Sequence, residues 1–165
     1  MKYFIAFILI TICYVSCGSY SGCNYKEAKL VSKNFSREYT GLDTLIRLDG
    51  YYYRGETEES LYPFVLSKNG EVEVFYFILK THEEIQHYIT RSKPFYGSYT
   101  IKGDTINIKW SEKYDFGSYL IFSEDYVIVN DTTLRQVRRS GKVCVEDKKF
   151  EKATNVVYHL YRITK

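Results

Sequence analysis

The sequence predicts an all-β domain: an antiparallel up-and-down meander of about eight or nine strands closing into a barrel. Three observations carry that prediction. Apolar and polar residues alternate with period two through most of the chain after Asp43. Turn dipeptides such as Asn69-Gly70 and Gly103-Asp104 separate those runs at hairpin spacing. The only two prolines, Pro63 and Pro94, fall at run edges, where a missing N–H does little harm to a ladder.

Taken in order, Leu48–Gly55 reads as the first strand. Asn69-Gly70 then joins Pro63–Ser67 to Glu71–Leu79, because both positions of that dipeptide tolerate positive φ. A turn of helix is expected at Thr81–Tyr88. Tyr99 and Ile101 alternate with Ser98, Thr100 and Lys102, and Gly103-Asp104 leads into Thr105–Trp110, where Ile106, Ile108 and Trp110 share one face. Ser123-Glu124-Asp125 reads as the turn of a third hairpin, between Gly117–Phe122 and Tyr126–Asn130. Strands at Leu134–Arg138 and Asn155–Ile163 complete the series. A meander of this size hides its edges best by closing on itself.

The segment before the domain has a different character. Lys2 is followed by an uncharged run, and its apolar part, Phe4–Val15, has the length of a secretory h-region, well short of the roughly 20 residues a bilayer span needs. The run ends Tyr14-Val15-Ser16-Cys17, which resembles the lipobox of bacterial lipoproteins, whose cysteine is lipidated and becomes the first mature residue. Tyr20-Ser21-Gly22-Cys23 offers a second candidate. The resemblance implies a signal peptide at residues 1–16, a lipid-anchored tether at 17–42 and the barrel at 43–165. It implies a protein of the cell envelope held to the lipid bilayer, with Gly18 after the cysteine favouring the outer membrane, on its periplasmic or surface side. With Cys17 lipidated, Cys23 and Cys144 remain as a candidate disulfide in an oxidising compartment.

A second resemblance concerns the barrel. Leu48-Asp49-Gly50-Tyr51-Tyr52 on the first strand is similar to the opening Gly-X-Trp of lipocalins, with Tyr52 in place of the tryptophan. Asp125-Tyr126, in the expected late turn, is similar to their Thr-Asp-Tyr element, and Arg162 stands where the family has an arginine packed across the first-strand aromatic. The resemblance implies a lipocalin-like (calycin) barrel.

Charge and motifs exclude several function classes. The formal net charge is +3, and loss of residues 1–16 removes one positive charge, so overall balance gives no nucleic-acid signature. Arg135, Arg138, Arg139, Lys142, Lys148, Lys149 and Lys152 crowd one segment, but Glu146, Asp147 and Glu151 interrupt it, as on a solvated face. His82 and His87 are five apart, about 140° around a helix, so they do not form the zincin pair that chelates one metal. Glu56, Glu58 and Glu59 lack the turn glycine and ligand spacing of a calcium loop. No nucleophile elbow, phosphate-cradling loop or dinucleotide fingerprint occurs. The sequence thus predicts no catalytic residue, metal or cofactor.

The distinctive residue is tyrosine, with 18 copies against 10 glycines. Tyrosine is a good strand former, and it also offers a flat apolar face with a polar tip to a ligand or partner. Two readings stay open. In the first, the barrel takes a small apolar or amphipathic ligand in a cavity lined by residues such as Tyr52, Phe75, Phe77 and Trp110. In the second, it is an adaptor that meets another envelope protein through an exposed Tyr-rich face.

Overall fold

The computed structural model describes residues 40–54, 62–75, 79–91, 95–113, 119–143 and 148–163. Both candidate lipidation cysteines, Cys17 and Cys23, lie outside the described residues, as do the signal segment, Cys144, Phe77 and the Glu56–Glu59 loop.

Eight antiparallel strands run in sequence order around a closed barrel: β1 (Gly50–Arg54), β2 (Phe64–Leu66), β3 (Glu71–Val74), β4 (Phe95–Lys102), β5 (Thr105–Lys113), β6 (Tyr119–Asn130), β7 (Thr133–Val143) and β8 (Lys148–Arg162). The seam joins β1 to β8 from Gly50↔Arg162 to Arg54↔Tyr158. This is the up-and-down barrel that the alternating pattern predicts. The two hairpin glycines behave as their dipeptides require, with φ of 85° at Gly70 and 63° at Gly103.

One end of the barrel is plugged. Gly41, at φ 72°, turns the chain into a single 3-10 turn, Leu42–Thr44. Leu42 and Ile46 are driven into the core, 0% and 2% exposed. The plug is pinned by Arg47 N–H to the Asp131 carbonyl at 2.8 Å and by the Tyr52 hydroxyl to the Arg47 carbonyl at 3.0 Å. The core therefore reaches back to Leu42.

A helix, α1 (His82–Arg91), lies against the outer wall. It runs three residues past the expected turn at Thr81–Tyr88, and its start is written in the sequence: Thr81 and Glu84 form a capping box. Thr81 Oγ1 accepts from Glu84 N–H at 3.1 Å, and Glu84 Oε2 accepts from Thr81 N–H at 3.2 Å and Lys80 N–H at 2.7 Å. Those bonds hold the Glu84 carboxyl below its ordinary range. Ile85 is fully buried with Tyr51 and Leu79, and Tyr53, Val65, Tyr88, Ile89 and Tyr161 pack around them. The triplet Tyr51-Tyr52-Tyr53 is thus split by strand alternation, with Tyr52 in the barrel core and its two neighbours under α1.

Two expectations are corrected. Ser123-Glu124-Asp125 is not a turn: β6 runs unbroken from Tyr119 to Asn130, and Asp125-Tyr126 lies in mid-strand. The polar triplet is tolerated because β7 answers it, with Glu124 opposite Arg139 and Asp125 opposite Arg138. Arg162, expected across the first-strand aromatic, instead reaches Asp49 Oδ2 at 3.0 Å at the plugged end, a carboxylate that Arg47 also holds at 2.6 Å.

Candidate functional site

The interior of the barrel changes character from the plug to the opposite end. Near the plug it is apolar, with Leu42, Ile46, Ile106 and Leu134 all within 2% of full burial. Toward the end where β1 finishes, it opens into a cavity of about 120 Å³. At roughly 30 Å³ per water in the liquid, that is space for about four waters, or for a ligand of a few heavy atoms.

One side of the cavity is apolar, formed by Phe64, Val74, Ile108 and Trp110. The ring of Trp110 stacks on Phe122 with centroids 4.2 Å apart. Gly97 makes that stack fit, since a Cβ there would lie 2.7 Å from Trp110 Cβ and 2.9 Å from Val72 Cγ1, with the Lys109 carbonyl oxygen closer still.

The other side is polar, and Glu124 is its centre. The residue is 7% exposed. Its Oε2 accepts from the Tyr126 hydroxyl at 2.8 Å, which in turn accepts from the Gln136 amide at 3.0 Å. Its Oε1 lies 3.1 Å from Arg139 Nε, and the Arg139 guanidinium sits 4.9 Å over the Phe122 ring. That ion pair is close but off the hydrogen-bond line, so the buried Arg139 Nε–H has no aligned acceptor among the described residues. Arg54, Tyr62 and Tyr158 complete the polar lining.

Burial pushes the Glu124 carboxyl up, and Arg139, Tyr126 and Trp110 pull it back only in part. The Tyr126 phenol is raised well above its usual value by burial and then by Glu124. Burial and Glu124 also push Tyr158 up to about 12. Glu124, Tyr126 and Tyr158 are thus biased toward their protonated forms, as expected where charge is costly and partners are few.

A bulge aims this cluster. Strict alternation along β7 would put Gln136 and Arg138 on one face. The register steps from Asp125↔Arg138 to Tyr126↔Gln136, leaving Val137 unmatched. The extra residue lets Gln136 and Arg139, three apart, both face the interior, while Arg138 turns outward to Asp125 at 2.6 Å and Glu151 at 3.5 Å.

Of the residues singled out from sequence as a ligand lining, Trp110 lines the cavity. Tyr52 is buried toward the plug, its hydroxyl on the Arg47 carbonyl. Phe75 is buried, and its ring meets Tyr88 of α1 at 5.9 Å. The sequence reading missed Glu124, Gln136 and Arg139. The signal that would have found them is the pair of complementary doublets, Glu124-Asp125 and Arg138-Arg139, on strands that antiparallel pairing brings face to face.

No family model matches this chain, and neither a curated protein nor a solved structure is significantly similar to it.

The remaining sequence candidates are placed as follows. The basic segment is dispersed by alternation, Arg139 inward and Arg138 outward. His82 packs between α1 and the barrel wall, its Nδ1 2.8 Å from the Tyr51 hydroxyl and its ring stacked 3.8 Å from that of Tyr161. Burial lowers its pKa. Among the described residues no group of three or more His, Cys, Asp or Glu is placed to hold a metal ion. Tyr96 is the one described tyrosine among the exposed large hydrophobic residues.

Proposed function

We propose that this protein is a non-catalytic, lipid-anchored binding barrel of the cell envelope that takes a small amphipathic ligand in its interior, at the end away from the plug. The observation that carries the reading is the two-sided cavity of about 120 Å³, with Trp110, Phe64, Val74 and Ile108 opposite Arg54, Glu124, Gln136 and Arg139. A few placed polar groups over apolar walls is the usual make-up of a small-molecule site. The anchor half of the proposal rests on the Ser16-Cys17 junction after a short apolar run.

Two measurements test the halves separately. Native mass spectrometry of the full chain, extracted from membranes and released from detergent, should give an adduct that is lost on denaturation. A bare mass across several extraction conditions would count against a ligand-binding barrel. Labelling with radioactive palmitate should mark the chain and be lost in Cys17→Ser, and label that instead follows Cys23→Ser would move the anchor to Cys23.

A further inference from the structure

The polar half of the cavity has an excess of positive charge: two guanidiniums, Arg54 and Arg139, face one carboxylate, Glu124. Arg54 stands opposite Tyr158 across the β1–β8 seam. Among the described residues no hydrogen bond or ion pair engages its side chain. Arg139 is held by Glu124 only loosely, with its buried Nε–H lacking an aligned acceptor. Donors without matched acceptors, in a space large enough for a few heavy atoms, describe a receptor for an anion.

The remaining groups narrow the anion. Guanidinium forks match planar carboxylates with two parallel hydrogen bonds. Phe64, Val74, Ile108 and Trp110 give the opposite wall to hydrocarbon, which inorganic phosphate would not use. The Gln136 amide N–H is taken by Tyr126 and the Tyr126 hydroxyl by Glu124. Among the charged donors that line the cavity, Arg54 and the Arg139 Nε–H lack an aligned acceptor among the described residues.

Deepening the binding-barrel reading on which it rests, we propose that the cavity binds a short-chain carboxylate between Arg54 and Arg139, and that Glu124 takes up a proton from solvent as the ligand enters. A second carboxylate drawing on Arg139 removes the charge that Glu124 needs in order to stay ionised. Two carboxylates in one poorly hydrated space share a proton. The groups facing Glu124 leave it the natural acceptor: Trp110 from β5, Tyr126 from β6, Gln136 and Arg139 from β7, Tyr158 from β8 and Arg54 from β1. None of these is a second acid that ionises near neutral pH. The only bond change is a proton transfer: an O–H or N–H bond of hydronium or buffer acid breaks, its conjugate base stays in solvent, and an O–H bond forms on a Glu124 oxygen, which then donates to the ligand.

The test is isothermal titration calorimetry of the full chain in detergent, with butyrate as probe. It is run at several pH values between 5.5 and 8.5, in buffers of different ionisation enthalpy. Butyrate should bind at one site, at least about tenfold tighter than butanol, butylamine or inorganic phosphate. Its affinity should fall by up to about tenfold per pH unit over the range in which close to one proton is taken up. Arg54→Gln, at a residue with no hydrogen bond or ion pair among the described residues, should weaken butyrate by about tenfold or more. Glu124→Gln should still bind butyrate, with neither proton uptake nor pH dependence. Tighter binding of butanol, butylamine or phosphate would overturn the carboxylate assignment while leaving a binding barrel. Butyrate binding without proton uptake would overturn the role of Glu124. Failure of every probe, with a bare native mass, would overturn this proposal and the binding-barrel reading together. Failure of every probe with an adduct present would overturn this proposal alone.

Discussion

Replacing Arg139 by methionine tests the energetic description of the cavity. The substitution keeps a flexible apolar stem but leaves Glu124, 7% exposed, with Tyr126 and Trp110 to offset its burial. The Glu124 carboxyl in the folded protein already titrates above its ordinary value of 4.5, raised first by burial. The folded state therefore binds the proton more tightly than the unfolded chain. Its contribution is fully present below the unfolded pKa and is lost as pH rises through the folded one. Arg139 is the largest influence opposing that rise, so its removal widens the window, and each added pKa unit costs about 1.4 kcal/mol at high pH. Breaking a buried pair from one side costs about 3–5 kcal/mol. Because the Arg139 side chain is 34% exposed, a discounted loss of about 2–3 kcal/mol at pH 8 is expected. At pH 4.5 only the contact with the Phe122 ring should be missing, about 0.5–1 kcal/mol. Urea denaturation of wild type and Arg139→Met at both pH values measures the difference. Equal losses at the two pH values would refute the reasoning, since the cost would then come from packing and not from the stranded carboxylate. Adding Glu124→Gln to Arg139→Met should remove the pH dependence.

Three further predictions concern the frame around the cavity. Gly97→Ala should destabilise by about 2–3 kcal/mol, because its Cβ meets the Lys109 backbone, whereas Gly141→Ala, which meets mainly the swingable ring of half-exposed Phe150, should cost under about 1 kcal/mol. Similar thermal shifts for the two would contradict that distinction. Asp125→Asn should cost about 1 kcal/mol at pH 7. Burial raises the Asp125 carboxyl, but Arg138 and Asn107 outweigh it, and its pKa is lowered overall from 3.8. That contribution is present above the unfolded pKa and lost as pH falls through the folded one, so wild type and variant should converge in strong acid. In a two-dimensional NMR titration His82 should titrate below 6.5, since burial disfavours its charged form more than Glu83 favours it. Stability tied to His82 then falls as pH drops below 6.5, and an imidazole that titrates at or above that value would argue against its packing under the Tyr51 hydroxyl.

The barrel was legible because its evidence is periodic and local. Ile106, Ile108 and Trp110 announce their shared face, and Asn69-Gly70 announces its turn, without reference to any distant residue. The cavity was illegible for the converse reason. Glu124 in a strand looks like a turn residue until the arginine opposite it, 15 positions later, is known. Hydropathy counts a buried charge as exposed, and strict alternation misassigns Arg138 and Arg139 unless the bulge at Val137 is anticipated. The helix lay between these cases: Thr81 and Glu84 state its start, but its packing partners, Tyr51 and Tyr161, lie at opposite ends of the domain.

The plug formed by Leu42 and Ile46 has a kinetic consequence. On the binding-barrel reading, a tube stoppered at one end is a well and not a conduit, so a ligand would enter and leave on the side away from the plug. Arrival and departure then share one bottleneck. A change at the rim that narrows the passage without touching the resting place slows both by the same factor, and occupancy at equilibrium stays where it was. On the binding-barrel reading, residence time would be tuned at Tyr62, for instance, while affinity would be set by Arg54, Arg139 and the Trp110 wall.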